Sequence, residues 1–203
     1  MAAHIASVVE GHGETEALPI LIRRLIATVN PPLAVDVVRP IRVPRSTLLK
    51  HGELERAVQL AALNARPDGA VLVVLDAEDD CPRTMAPELL ERVRSAIGHL
   101  PAALALAKRE FEAWFLAAVE SLCERRGLPP DLEAPPDPEA VRGAKEWLSD
   151  RMPLGQRYSE TLDQPALAAV FDLECSRQRS PSFDKLCREI SRLFAELTQA
   201  AGE

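Results

Sequence analysis

The sequence predicts an α/β fold: an open, mostly parallel β-sheet flanked by helices, with a helical extension at its C-terminal end. Three observations predict it. The apolar runs at residues 5–9, 70–75 and 102–107 are continuous rather than alternating, the pattern of strands covered on both faces. Between them lie segments with apolar residues three and four positions apart, the spacing of a helix with one buried stripe. Beyond residue 138 only the helical spacing continues. Strand-helix-strand units of this length need crossover connections, and these place helices on both faces of a sheet.

Residues 5–9 form the first expected strand, which ends at the glycine turn Glu10-Gly11-His12-Gly13-Glu14. Leu18, Leu21, Ile22, Leu25, Ile26 and Val29 then mark a helix that Asn30-Pro31-Pro32 stops. Proline is tolerated only near a first turn, so this helix is expected to begin close to Pro19. Residues 33–43 read as an edge strand, because Pro40 has no N–H to give to a ladder, and residues 46–63 read as a helix. The run Ala-Val-Leu-Val-Val-Leu at 70–75, between Asp68-Gly69 and Asp76, is the expected central strand. A helix over 87–97, a fourth strand over 102–107 and a long helix over 111–124 follow. Residues 129–138 include five prolines and can sustain neither helix nor strand. Helices over 139–150, 165–171 and 183–197 complete the reading. The expected organisation is an α/β domain over 1–128, a Pro-rich connector over 129–138, and a helical extension over 139–203 packed on the first domain.

At 203 residues the chain is long enough to bury its own core. Cys81, Cys123, Cys175 and Cys187 lie far apart and form neither a CxxC pair nor a zinc-type Cys/His cluster, as in a reduced chain. Met1-Ala2-Ala3-His4 lacks the basic and then apolar segments of a signal peptide, and no apolar run approaches the roughly 20 residues of a membrane span. A cytoplasmic chain with no membrane partner is expected. The formal net charge of −7 opposes a broad, non-specific basic nucleic-acid face. It does not oppose a metal enzyme, whose carboxylates carry charge that a bound cation offsets.

In open α/β sheets, ligands bind beyond the carboxyl ends of the strands where strand order reverses. Two acidic groups are expected at that edge: Glu10 and Glu14 after the first strand, and Asp76, Glu78, Asp79 and Asp80 after the central one. Mg²⁺ and Mn²⁺ take hard oxygen ligands, so converging carboxylates are what such a site requires. Taken singly, each acid has a simpler reading as a helix cap or a solvated turn. Glu10 and Asp76, however, each end an apolar strand directly, and Gly11 and Gly13 permit close approach to the backbone. The turn lacks the Gly-Lys-Ser/Thr ending of a P-loop and the third glycine of a dinucleotide-binding fold.

Val9-Glu10-Gly11-His12-Gly13-Glu14 resembles the strand-turn Glu-Gly motif of TOPRIM domains, and Leu75-Asp76-Ala77-Glu78-Asp79-Asp80 resembles their second acidic motif, usually Asp-x-Asp. Asp79-Asp80-Cys81-Pro82, residues 109–116 (Arg-Glu-Phe-Glu-Ala-Trp-Phe-Leu) and Ser180-Pro181-Ser182-Phe183 are similar to a bacterial TOPRIM-like family, the domain of unknown function numbered 4276. The wider group includes overcoming-lysogenization-defect nucleases. The resemblance implies a TOPRIM-like sheet, Mg²⁺ (or Mn²⁺) as cofactor, and phosphodiester cleavage or transfer. It implies Glu10 as catalytic acid-base or ligand, Asp76 and Asp80 as metal ligands, and Glu14 as an accessory ligand. Glu78 stands where the family usually has its second Asp, and offers the same carboxylate one methylene farther out.

Glu110 and Glu112 open the helix expected after the fourth strand, where acids favour the helix N-terminus. Glu112 lies in the matching Glu-Ala-Trp segment and is the better functional candidate; Lys108 and Arg109 can steady phosphate charge from the same edge or pair with a neighbouring acid. Trp114, Phe115, Phe183 and Phe194 fall at core spacings. Arg39, Arg42 and Arg45 form a basic stretch suited to guiding a nucleic-acid backbone. The expected function is Mg²⁺-dependent phosphodiester hydrolysis, as a nuclease component of a bacterial defence or DNA-processing system with nucleic acid as substrate. A separate ATPase is the implied partner, since this chain has no ATP-binding motif of its own, and a homodimer is left open. The alternative is a TOPRIM-like regulatory or interaction subunit without catalysis; a phosphohydrolase acting on a small substrate is a third reading.

Overall fold

The computed structural model describes residues 3–29, 34–65 and 67–201. Met1, Ala2, the expected stop at Asn30-Pro31-Pro32, and Leu33 of the expected edge strand lie outside the described residues. The strands are β1 (Ala3–Val9), β2 (Val35–Val37), β3 (Ile41–Arg42), β4 (Ala70–Asp76) and β5 (Ala102–Ala107). All pairings among them are parallel: β2 and β3 lie on one side of β1, β4 on its other side, and β5 beyond β4. The edge strand expected over 33–43 is two short strands. From Ile5 to Val8, β1 advances three residues while its partner advances four, from Val37 to Ile41. The extra residue interrupts the ladder beside Pro40, which cannot donate to it.

The helices are α1 (Glu14–Val29), α2 (Arg45–Leu48), α3 (Glu53–Ala65), α4 (Pro82–Ile97), α5 (Ala113–Leu116), α6 (Ala144–Ser149), α7 (Asp163–Ala168), α8 (Leu173–Arg179) and α9 (Pro181–Ala201). Alternate strand residues face two apolar layers. Ile5, Leu72, Val74, Ala103 and Ala105 pack under α1 and α9, whereas Val8, Val71, Val73 and Leu104 pack under α3 and α4. The first layer also contains Leu148, Leu167, Phe171, Phe183 and Leu193, so the C-terminal helices complete the core on that face of the sheet.

Several boundaries differ from expectation for local reasons. α1 starts at Glu14, five residues before Pro19, because the Gly13 carbonyl accepts from the Glu16 and Ala17 N–H groups. The helix expected over 46–63 is broken into α2 and α3 by a turn ending at Gly52, whose φ is 79°. The long helix expected over 111–124 is the single turn of α5 and a 3₁₀ turn at Val119–Leu122. Every residue from Phe111 to Val119 is buried, so this segment has no solvated face and its apolar spacing carries no helical period. α8, in a polar stretch, was not expected.

An aromatic cluster of Phe111, Trp114, Phe115, Phe171 and Phe183, with ring centroids 4.5–5.6 Å apart, locks this segment to α9. The Ser180-Pro181-Ser182 motif is its polar clasp. Ser182 Oγ accepts from the Trp114 indole N–H at 2.8 Å and from the Lys108 N–H at 3.2 Å, and Ser176 Oγ donates to the Trp114 carbonyl at 2.9 Å. Ser182→Ala leaves two donors unpaired in a buried place, and an expected loss of about 2 kcal/mol can be read by urea denaturation. An unchanged midpoint would show that the clasp contributes nothing.

Candidate metal centre

Strand order reverses between β1 and β4, because the chain leaves β1 through α1 toward β2 and leaves β4 through α4 toward β5. In open parallel sheets such a reversal leaves a crevice at the carboxyl ends of the two strands, where ligands bind. Glu10 directly follows β1, Asp76 is the last residue of β4, and Glu14 is the first residue of α1. One carboxylate oxygen from each of the three lies within 4.8 Å of the others.

The glycine turn makes this convergence possible. A Cβ on Gly11 would stand 2.9 Å from Glu14 Oε1. One on Gly13 would stand 2.1 Å from the Glu160 carbonyl oxygen and 2.3 Å from Gln164 Oε1, so the turn and the segment before α7 touch backbone to backbone. The Glu10 N–H donates to Glu14 Oε2 at 3.2 Å, and the Phe111 N–H donates to Asp76 Oδ1 at 2.8 Å.

Glu112 is a buried neighbour of the cluster, close enough to raise the proton affinity of Glu14 and Asp76. It is fully buried, and its Oε1 accepts from the Tyr158 hydroxyl at 2.9 Å and from Gln164 Nε2 at 3.0 Å. Its Oε2 is buried without a partner, as is Glu10 Oε2. Lys145 Nζ pairs with Glu160 at 2.7 Å and is the cation that faces Glu112 and Asp76. Lys145, Tyr158, Glu160 and Gln164 were not singled out from the sequence. Tyr158 carried the only signal, as the one tyrosine of the chain, set in a polar stretch.

Burial raises the proton affinity of all four acids, and repulsion within the group adds to it at Glu14 and Asp76. Burial and the neighbouring Glu10 and Glu112 push Glu14 up to about 8. Burial raises Glu10 to about 7 against the opposing charge of Arg45, and raises Glu112 to about 7 against Lys145 and the Tyr158 hydrogen bond. Asp76 is raised well above the usual carboxylate range by burial, Glu14, Glu112 and Glu10. Burial works against the charge of Lys145, but Glu112, the Glu160 hydrogen bond and Asp76 outweigh it and hold the ammonium above its ordinary range.

A pH dependence follows, with its sign. Between pH 4.5 and about 8 the folded, metal-free chain keeps protons on Glu10, Glu14 and Glu112 that the unfolded chain releases. Their contribution is full below pH 4.5 and is lost as pH rises through 7 to 8. The Glu112 shift from 4.5 to about 7 corresponds to roughly 3 kcal/mol. Glu55, which a hydrogen bond from Arg92 holds at about 2, acts only below this interval. Urea midpoints measured in EDTA are expected to fall from pH 5 to 8.5, and Glu112→Gln to flatten the fall. A midpoint that climbs over that interval would contradict the buried cluster.

Although Glu78 lies near enough to Glu10 to raise its proton affinity, Glu78 and Asp80 are not among the three acids whose oxygens meet. Both pair with Arg45, whose Nε also donates to the Asp76 carbonyl at 3.0 Å. Arg45 is 15% exposed and internally committed, in contrast to its expected place on a nucleic-acid path. Arg42 is exposed in register with Val9, and Arg39 is exposed and pairs with Glu16 at 3.3 Å. Lys108 Nζ donates to the Asp80 carbonyl at 3.2 Å, on the rim.

Glu10, Glu14 and Asp76 offer only hard oxygen donors, and one of their buried carboxylate oxygens, Glu10 Oε2, has no hydrogen-bond partner. That donor set fits Mg²⁺ or Mn²⁺ and does not fit a soft, sulfur-seeking ion. All four cysteines are free thiols outside the cluster, and no helix among the described residues is long and apolar enough to cross a membrane. A family model described as a domain of unknown function (DUF4276) matches residues 9–191. No curated protein and no solved structure matches the chain.

Proposed function

The chain belongs to the family described as a domain of unknown function (DUF4276), and from that premise we propose that it is a TOPRIM-related, divalent-cation-dependent phosphodiester hydrolase acting on nucleic acid. One observation carries the reading. Carboxylates from β1, α1 and β4, far apart in the sequence, present oxygens within 4.8 Å of one another at the crevice where strand order reverses. When bound, Mg²⁺ or Mn²⁺ supplies Lewis acidity toward a phosphoryl oxygen and offsets the charge of the cluster. Glu14 and Asp76 would hold it. Glu10 reaches solvent more than the other three, and is the group that holds or gives up a proton at the substrate's side. Glu112, without exposure and held by Tyr158 and Gln164, adds a buried acid beside the cluster.

The test is an assay of EDTA-treated protein, with and without Mg²⁺ or Mn²⁺, against plasmid, single-stranded DNA, RNA, nucleotides and bis(p-nitrophenyl) phosphate. Cation-dependent cleavage of phosphodiesters is the expected result. Cleavage that EDTA leaves unchanged would overturn it. A second reading, a TOPRIM-like regulatory subunit of a separate ATPase, draws on the commitment of Glu78 and Asp80 to Arg45, which leaves fewer acids for a cation than the sequence offers. Tight Mn²⁺ binding without turnover on any of these substrates selects that reading.

A further inference from the structure

The rim of the crevice carries a second polar constellation that the cation site does not use. The loop after β4 and the loop after β5 are joined backbone to backbone: the Ala77 N–H donates to the Ala107 carbonyl at 2.8 Å, and the Glu78 N–H to the Arg109 carbonyl at 2.9 Å. Glu78 and Arg109, neither of them glycine, hold φ of 51° and 65° in this join. Left-handed backbone at such residues is strained and collects where a side chain must be aimed.

The side chain aimed here is Arg109. Its Nη1 stands 2.7 Å from Asp79 Oδ1, and Arg142, from the segment before α6, places Nη1 2.8 Å from the same oxygen and 3.1 Å from Oδ2. Two guanidinium groups from separate parts of the chain therefore converge on one exposed carboxylate. Arg109 is largely buried, at 20% exposure, and its Nε is buried without a partner. Asp79 and Arg142 face solvent, at 69% and 70%. One carboxylate leaves donors of both arginines unused, whereas a phosphate presents more acceptor oxygens and a larger charge to the same fork geometry.

We propose that Arg109 and Arg142 form a phosphate-binding subsite in which Asp79 is the internal group that a phosphate displaces, and that the subsite takes a phosphate next to the scissile one in a polynucleotide. The assignment to a neighbouring phosphate rests on the hydrolase reading above. Asp79 is three residues beyond Asp76, which caps the separation of their Cα atoms at about 10 Å. Arg109 is two residues before Phe111, whose N–H holds Asp76. The subsite is thus tied to the cation site along both loops. Arg45 is more fully engaged, held by Glu78, Asp80 and the Asp76 carbonyl together.

The experiment measures binding of a labelled single-stranded oligonucleotide by fluorescence anisotropy in Ca²⁺ over a range of salt, for wild type, Arg142→Ala and Asp79→Asn. Thermal melts confirm that each variant folds. Arg142→Ala is expected to weaken binding about tenfold and to lower the salt slope by about one phosphate contact. Asp79→Asn, which removes the competing charge, is expected to tighten binding severalfold. A purely structural ion triad predicts the opposite sign, so weaker or unchanged binding by Asp79→Asn overturns the proposal. With Mn²⁺, the loss of turnover in Arg142→Ala should be at least about fivefold greater on the oligonucleotide than on bis(p-nitrophenyl) phosphate, which has no second phosphate. Equal losses on the two substrates overturn the neighbouring-phosphate assignment. Inorganic phosphate that competes as well as the oligonucleotide at equal phosphate concentration assigns the subsite to a free anion and overturns it too. Absence of cleavage by wild type would sink the hydrolase reading and with it the neighbouring-phosphate assignment, whereas the binding arm tests the phosphate subsite itself without turnover.

Discussion

Mg²⁺ or Mn²⁺ is expected to stabilise the wild-type protein, and Asp76→Asn is expected to abolish that gain while making the metal-free protein more stable at pH 8. The two effects have one cause. Asp76 is buried beside Glu10, Glu14 and Glu112, so its negative charge is costly in the metal-free fold and useful only to a cation. Asparagine preserves the volume and the oxygen that accepts from the Phe111 N–H, and removes the charge alone. At a hundredfold excess of cation over Kd, wild type should gain about 2.7 kcal/mol, or roughly 5–10 °C in Tm for a chain of this size. The variant should gain nothing, and phosphodiester turnover should fall on the order of a hundredfold or more. An equal cation-induced shift in the two proteins would show that Asp76 is not a ligand.

Gly13→Ala is expected to destabilise the protein by about 3–4 kcal/mol, more than an ordinary surface substitution by an order of magnitude. Glycine is required there by proximity. The added methyl would meet a backbone oxygen of Glu160 at 2.1 Å and Gln164 Oε1 at 2.3 Å, and the first of these cannot turn aside as a side-chain tip can. Relief of the clash requires the segment carrying Tyr158, Glu160 and Gln164 to move off the turn, which strips Glu112 of its hydrogen bonds. Urea denaturation reads the loss, and calorimetry with Mn²⁺ should show weakened binding as well. A midpoint within about 1 kcal/mol of wild type would show that the contact yields easily. Gly11→Ala makes a useful comparison, because the methyl there meets only the movable end of Glu14.

Glu10 and Asp76 were legible because each sits where an apolar run ends, and Glu14 because it closes the glycine turn after Glu10; in a parallel sheet such strand ends share one edge. Glu78 and Asp80 satisfied the same criterion and yet lie outside the cluster. Spacing along a loop says which acids are near the edge but not which way they turn, and an arginine from α2 captured both. Arg45 itself looked like part of a solvated basic stretch with Arg39 and Arg42. Its burial depends on how the short α2 meets the loop after β4, a contact between residues about thirty positions apart. Trp114 and Phe115 were rightly placed in the core, although the helix expected to carry them is one turn long.

The sequence by itself determined the α/β class, the parallel strands and the edge where the acids gather, since continuous apolar runs and glycine turns are local patterns with local physical consequences. Tertiary structure alone decided which acid faces which base: that Glu112 rests on Tyr158 and Gln164, that Lys145 answers the cluster, and that Asp79 bridges Arg109 and Arg142. A charged side chain is indifferent to its partner's place in the chain. Its pairing and its proton affinity are set by distance and burial after the elements have packed, and neither quantity is written in local spacing.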